Sequence, residues 1–337
     1  MRRRLIAAAL LAGAVSAACG TDKEPPGPPE PSARRTVRGD GAELLHRAGG
    51  RASAQNPAYS PDGKSLLFTV FHGGYNDGDA SLRVLPLDGG PAPWPRTLLA
   101  DEGQAAVNLP GSSWRASAGV AFASDRAGRD EIWVLKPGGQ PVRVTAHTGG
   151  SGYIEPSFSP RGDWIVFEES EESEESREGA DALGSLWKVR PDGSGLVRLL
   201  DGPATRTDNR QPNWSPHGDR LVFQRRARGG DSWALYVMNA DGTGVRRLTK
   251  GAGEHTDASW SPDGAHVVFS STAGGLDLPK IFVIPAGGGR PVRVTGERDT
   301  YDGAPSWSPD GRWIAFESHT GDEDRPTSLW RVPAPRR

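Results

Sequence analysis

The chain has 337 residues, and its 40 Lys and Arg stand against 42 Asp and Glu for a net charge of −2. That balance offers no basic stripe for neutralising phosphates, which excludes nucleic-acid binding of the counterion-release kind. A single cysteine, Cys19, excludes an internal disulfide framework and a cysteine zinc cluster.

Residues 1–19 begin with Arg2, Arg3 and Arg4, run through apolar Leu5 to Val15, and end in Ser16-Ala17-Ala18 before Cys19. A positive start, an apolar run too short to span a bilayer as a mature helix, and small residues before a cleavage point make an export signal. The segment resembles a bacterial lipoprotein signal, which implies that Cys19 becomes a lipidated N-terminus anchored to a membrane. Gly20 stands where an Asp would retain such a protein at an inner membrane, so the resemblance implies the outer membrane or cell surface. Residues 20–41, GTDKEPPGPPEPSARRTVRGDG, are too rich in Pro, Gly and charge to bury a core and read as a disordered tether. Extended at about 3.1 Å per residue, such a tether would reach about 60 Å.

A lone strand signal, AELLH (Ala42 to His46), precedes a hairpin that then recurs along the chain. Its copies are NPAYSPDGKSLLF (Asn56 to Phe68), EPSFSPRGDWIVF (Glu155 to Phe167), QPNWSPHGDRLVF (Gln211 to Phe223), DASWSPDGAHVVF (Asp257 to Phe269) and PSWSPDGRWIAF (Pro305 to Phe316). In each, an aromatic closes a strand, Ser-Pro-x-Gly turns the chain, and a second strand ends in Phe. The spacing from aromatic to Phe is constant, which fixes the register. A degenerate copy, GSSWRASAGVAF (Gly111 to Phe122), is one residue shorter between Trp114 and Phe122 and lacks Pro-x-Gly, so an altered turn is expected there.

Each hairpin is followed by a third strand signal: Leu82 to Leu85, Glu131 to Leu135, Ser185 to Val189, Ala234 to Met238, Lys280 to Ile284 and Ser328 to Val332. Five are followed by a fourth: Thr97 to Leu99, Val142 to Thr145, Leu196 to Leu200, Val245 to Thr249 and Val292 to Thr295. Successive aromatics lie 44 to 56 residues apart, which is blade spacing. The expected fold is all-β: a six-bladed propeller of four-stranded blades over residues 42–337. The sixth unit lacks a fourth strand, and residues 42–46 supply it, removing an open sheet edge.

The WSPDG hairpins, the Ser124 to Val134 run SDRAGRDEIWV and the Val237 to Thr249 run VMNADGTGVRRLT resemble the TolB-type, WD-repeat-like propeller repeat. The resemblance covers residues 42–337 and implies a stand-alone propeller, without the α/β domain of TolB or the hydrolase domain of prolyl-oligopeptidase relatives. Such propellers usually bind rather than react.

The turns inside the hairpins are tight and uniform, whereas the loops between second and third strands and between blades vary. Both variable sets open on one face, where recognition is expected. Entering the innermost strands are Gln55 and Asn56, Tyr153 and Glu155, Asn209 and Gln211, His255 and Asp257, and Tyr301 and Asp302. Two readings of these residues stand open: a polar, acidic ring at the channel mouth for a sugar, a cation or a basic side chain, or inter-blade partners for turning backbone. The Glu168 to Glu178 run, with seven Glu and one Arg, reads as a solvated insertion in a surface loop, or as a contact for a basic partner or loosely held divalent ions.

His72, His147, His255 and His319 fall on the variable face, but their spacing does not force the convergence that a metal site needs. No GxSxG or HExxH motif occurs, and no cofactor or metal is implied. Repeated Trp positions suit packing between blades; Trp94, off the pattern, is a candidate exposed contact. The function expected is an envelope-anchored, monomeric, non-enzymatic propeller that binds a protein or glycan partner on its loop-rich face. The alternative is a carbohydrate lyase or hydrolase at the channel mouth, using Glu155, Asp257, Asp302 and His255.

Overall fold

The computed structural model describes residues 36–87, 95–100, 113–148, 151–171, 183–296, 299–321 and 326–335. The export signal, most of the tether, Cys19, Trp94 and the acidic run from residue 172 onward lie outside the described residues.

The described residues form six antiparallel four-stranded sheets. Blade one holds β2 (Ser53–Tyr59), β3 (Ser65–Phe71), β4 (Ala80–Pro86) and β5 (Arg96–Ala100). Blade two holds β6 (Trp114–Arg115), β7 (Gly119–Ser124), β8 (Glu131–Leu135) and β9 (Pro141–Arg143). Blade three comprises β10 (Ser151–Phe158) to β13 (Val197–Leu200), with β11 (Ile165–Glu171) and β12 (Ser185–Val189) between. Blade four runs from β14 (Thr207–Trp214) through β15 (Arg220–Ala227) and β16 (Ala234–Asn239) to β17 (Arg246–Arg247). Blade five runs from β18 (His255–Trp260) through β19 (His266–Ser271) and β20 (Lys280–Pro285) to β21 (Val292–Arg293). Blade six contains β22 (Tyr301–Trp307), β23 (Trp313–His319) and β24 (Ser328–Pro333), and its outer strand is β1 (Glu43–Arg47). The expected closure is therefore present, shifted by one residue, with Glu43 opposite Arg331 and Arg47 opposite Ser328.

Each blade has two apolar faces because its middle strands read as near-continuous Val, Ile, Leu and Phe. Those faces meet between blades: Trp214 and Phe223 of blade four pack with Val166 and Leu186 of blade three, and Tyr59 and Phe68 of blade one pack with Ala315 and Leu329 of blade six. The Phe expected to end each second strand (Phe68, Phe122, Phe167, Phe223, Phe269 and Phe316) lies inside it, because the ladder runs two to four residues further, and is fully buried. Constant spacing in the sequence thus becomes a repeated peg between sheets. One such ring contributes roughly 1.5–3 kcal/mol by burial alone.

Three local features depart from the sequence reading. The fourth strands of blades two, four and five are shorter than expected because Thr145, Thr249 and Thr295 leave the ladder; their hydroxyls accept from the backbone N–H of Ile132, Leu235 and Ile281 instead. A one-turn helix at Gly202–Thr205 interrupts the loop before blade four, with Asp201 as its N-cap accepting from Ala204 N at 2.8 Å. The start of the acidic run is strand rather than loop: Glu168 lies in β11, buried, and Glu169 binds His147 Nε2 at 2.9 Å.

Candidate binding site along the propeller axis

Five innermost strands carry the same defect. The ladder slips between Gln55 and Ala58, Ile154 and Ser157, Arg210 and Asn213, Thr256 and Ser259, and Gly303 and Ser306. In each bulge one non-glycine residue takes a left-handed backbone: Asn56, Glu155, Gln211, Asp257 and Ala304, with φ between 45° and 56°. A non-glycine residue there costs about 1–2 kcal/mol, so five in register mark a position that the ring of blades imposes.

These bulges bring Asn56, Glu155, Gln211 and Asp257 together around an axial cavity of about 30 Å³. That volume holds roughly two water molecules, far below the roughly 300–1,000 Å³ of pockets that enclose organic ligands.

In three of these bulges the N–H of the left-handed residue is satisfied from the preceding blade. Asn56 N donates to Glu317 Oε2 at 2.8 Å, Gln211 N to Glu168 Oε2 at 3.1 Å, and Asp257 N to Gln211 Oε1 at 3.1 Å. In blade six, Asp302 O accepts from Ser270 Oγ of blade five at 2.9 Å. Glu168, Ser270 and Glu317 each directly follow a second-strand Phe. That repeated polar position is the signal that sequence reasoning passed over, and it makes Glu317 and Glu168 part of the axial site.

Electrostatics follow from burial. Desolvation raises the Asp257 carboxyl above its usual range, against hydrogen bonds from Thr256 and Gln211. Desolvation likewise pushes Glu317 up to about 7, with the nearby Asp257 charge adding to it and the Asn56 N–H opposing. Tyr75, on the loop between β3 and β4, donates its hydroxyl to Glu317 Oε1 at 3.2 Å. Its ring lies against those of Tyr301 at 6.1 Å and His319 at 5.1 Å, and Tyr301 stacks on His319 at 4.6 Å. Burial raises both tyrosine pKa values, so both remain neutral donors. In this cluster Tyr301 is a repeat-position candidate and His319 a variable-face histidine, whereas no repeat position announces Tyr75, which reaches Glu317.

The other sequence candidates are committed elsewhere. Asn209 is fully buried; its Nδ2 donates to Gly184 O at 2.9 Å and its Oδ1 accepts from Arg225 Nε at 2.7 Å. Asp302 is fully buried against Arg38. His255 Nδ1 meets Ser271 Oγ at 2.8 Å, and desolvation with help from Arg247 lowers its pKa to about 4. His72 lies 3.3 Å from Ser81 Oγ, in blade one. Among the described residues no three His, Cys, Asp or Glu side chains are grouped as a metal would require. No helix among them is long and apolar enough to cross a membrane.

Residues 204–327 match the family model described as the TolB beta propeller domain. A protein TolB homolog from Chlorobium luteolum is 30% identical over 132 residues, covering 38% of this chain; the match spans about a quarter of that relative, 26%. Among solved structures, a putative TolB from Agrobacterium tumefaciens superposes with a TM-score of 0.56 at 20% identity, over 84% of this chain and 91% of its own. An oligogalacturonate lyase in complex with manganese gives 0.57 at 14% identity, over 90% and 96%. At these identities the structural likeness establishes the fold alone.

Proposed function

The chain carries a TolB-type β-propeller, and on that premise we propose that it is an exported, non-enzymatic binding protein of the cell envelope. It acts as a monomer, held at the outer membrane or cell surface by a lipid on Cys19, and it recognises a protein or glycan partner with its loop-rich face. The observation that carries this reading is the size of the axial cavity, about 30 Å³: with room for water and little else, recognition falls to the outer surface of a rigid ring. Asn56, Glu155, Gln211 and Asp257 then serve as the acidic floor beneath that surface, and Tyr301 as part of its cover. Asn209, His255 and Asp302 hold the surrounding blades in place.

The test is crosslinking in whole cells with identification of what is captured, repeated on a chain lacking residues 172–178. A defined partner set, reduced by that deletion or by charge reversal in neighbouring loops, is expected. An empty set, or turnover of oligogalacturonate by the purified chain, overturns the proposal. Globomycin sensitivity of processing and loss of membrane association in Cys19→Ser test the anchor separately.

A further inference from the structure

The loop between β3 and β4 of blade one, residues 72–79, folds back as a short hairpin of its own. His72 N donates to Asp79 O and Gly73 N to Asp77 O, both at 2.9 Å, and Gly74 pairs with Asp77 as an isolated bridge. Its two legs lie so close that a Cβ on Gly73 would meet Asp77 O at 2.8 Å and one on Gly78 would meet Gly73 N at 2.9 Å. Glycine at both positions is what lets the legs close, and the loop is thereby a unit that moves as a whole.

Its tip leaves its own blade. Tyr75 crosses to blade six, where its hydroxyl donates to Glu317 Oε1 at 3.2 Å and its ring packs against those of Tyr301 and His319. Among the described residues no hydrogen bond, ion pair or ring contact takes any other residue of the loop to another blade. Asn76, Asp77, Gly78 and Asp79 are exposed. The hold on blade six therefore rests on one side chain.

Tyr75 lands at the rim of the axial cavity. Glu317 Oε2 accepts from Asn56 N at 2.8 Å, and Asn56 and Asp257 line that cavity. The Asp257 charge acts on Tyr75, Tyr301 and Glu317 alike.

We propose that residues 72–79 form a hinged strap over the loop-rich end of the axis, latched by Tyr75 on Glu317, and that the strap opens and closes with the charge on that carboxyl. Closing strips water from Glu317, which disfavours its charged form. Burial accordingly holds this carboxyl up at about 7, with the Asp257 charge adding to the effect and the Asn56 N–H and Tyr75 hydroxyl opposing it. Opening returns water to one side of Glu317 and lets it fall back towards the ordinary carboxylate range. The state with the higher pKa gains as pH falls, so the strap closes in acid and opens as pH rises through that range. Open, it uncovers Asn56, Asp257 and Glu317 to a ligand on the loop-rich face; closed, it denies them.

The other groups that face Glu317 do not reverse this sign. Burial raises Tyr75 and Tyr301, which stay neutral. Burial also raises Asp257, so its ionisation works in the same direction. His319 Nδ1 accepts from Gly321 N at 3.2 Å, which requires the unprotonated nitrogen. Asp302 is paired with Arg38. On the strap itself His72, Asp77 and Asp79 are exposed to solvent.

The experiment is a spin-label distance measurement by electron double resonance on the purified chain in a Cys19→Ser background, with nitroxides on Asp77→Cys at the strap and Thr320→Cys beyond β23, both exposed positions. One short distance is expected in acid, joined by a longer one in base, with the open-to-closed ratio rising roughly tenfold or more between pH about 5 and about 9. Tyr75→Ala should show the longer distance at every pH. Tyr75→Phe keeps the ring and lacks the donor, so it should raise the open fraction roughly fivefold, and it decides the matter if Tyr75→Ala does not fold. Glu317→Gln should abolish the pH response, which separates this carboxyl from His72. An unchanged distance across the pH range, distributions in Tyr75→Ala and Tyr75→Phe equal to the parent's, or a pH response that survives Glu317→Gln overturns the proposal. The measurement needs no partner, so its failure is distinct from failure of the capture experiment.

Discussion

The Arg38 guanidinium grips both oxygens of the Asp302 carboxylate, at 3.0 and 3.1 Å, across 264 residues of sequence. The same guanidinium reaches Asp40, Thr300 and Ser318, and lies 5.6 Å from the ring centre of Phe316 and 5.3 Å from that of Trp330. It therefore ties the segment before β1 to the strands that β1 completes. Removing the cation alone, as in Arg38→Met, leaves a fully buried carboxylate unpaired and should cost about 3–5 kcal/mol. Arg38→Met combined with Asp302→Asn should cost clearly less than the two single changes added together, because the stranded charge is gone. Urea unfolding of the four chains measures this, and strict additivity would contradict the clasp.

Two buried titrating groups oppose each other over nearly one pH window. Glu317 is raised from 4.5 to about 7. The folded chain keeps a proton there that the unfolded chain has released, so stability falls by roughly 3 kcal/mol as pH rises through that range. His255 is lowered from 6.5 to about 4. Here the unfolded chain takes up the proton first, and stability falls by a similar amount, roughly 3 kcal/mol, as pH drops through that range. Glu317→Gln should then be more stable than the parent at pH about 8, with the advantage fading towards pH about 4. His255→Gln should gain relative to the parent as the solution is acidified. Denaturant midpoints for the three chains across this range provide the check; variant-minus-parent differences that do not move with pH would refute both assignments.

The blade count was readable because one aromatic and one Phe recur at fixed spacing, and a constant register turns spacing into geometry. Closure was readable because the sixth unit ends one strand short while Glu43 to Arg47 has no hairpin of its own. The axial ring was half readable: Asn56, Glu155, Gln211 and Asp257 occupy one repeat position, but their left-handed backbone is imposed by neighbouring blades. Tyr75 lies in the loop between β3 and β4, and loops at that place differ in length and sequence from blade to blade, so periodicity says nothing about it. Arg38 sits among residues whose composition suits a tether, and its partner lies at the far end of the chain. The near-neutral pKa of Glu317 arises from burial, which a residue letter does not carry.

Blade two turns differently, and Gly119 is the reason that it can. Its φ is +90°, and a Cβ there would lie 2.2 Å from Leu135 O, a backbone atom that cannot swing away. Gly119→Ala must therefore open the β7–β8 pairing as well as bear the left-handed cost of about 1–2 kcal/mol. Gly128 has φ of +94° with nothing within 4 Å, so Gly128→Ala bears the conformational cost alone. The first variant should lose at least about 2 kcal/mol more than the second by urea unfolding. Equal losses would mean that the turn relaxes freely.

Thr145, Thr249 and Thr295 replace a ladder hydrogen bond with a side-chain one, their Oγ1 atoms accepting from Ile132, Leu235 and Ile281 N at 2.9, 3.0 and 3.0 Å. All three threonines are buried. Valine keeps the shape and removes the acceptor, leaving a buried N–H unsatisfied, so Thr249→Val and Thr295→Val should each cost about 1–3 kcal/mol. Thr145→Val should cost more, because its hydroxyl also donates to the buried Glu131 Oε2. The sites belong to blades two, four and five and share no partner, so the triple variant should lose the sum to within about 0.5 kcal/mol. Amide exchange adds a local readout: Leu235 N–H should exchange faster in Thr249→Val while Ile281 N–H keeps its protection. Unchanged exchange at Leu235 would show that water, or a shifted strand, supplies the acceptor instead.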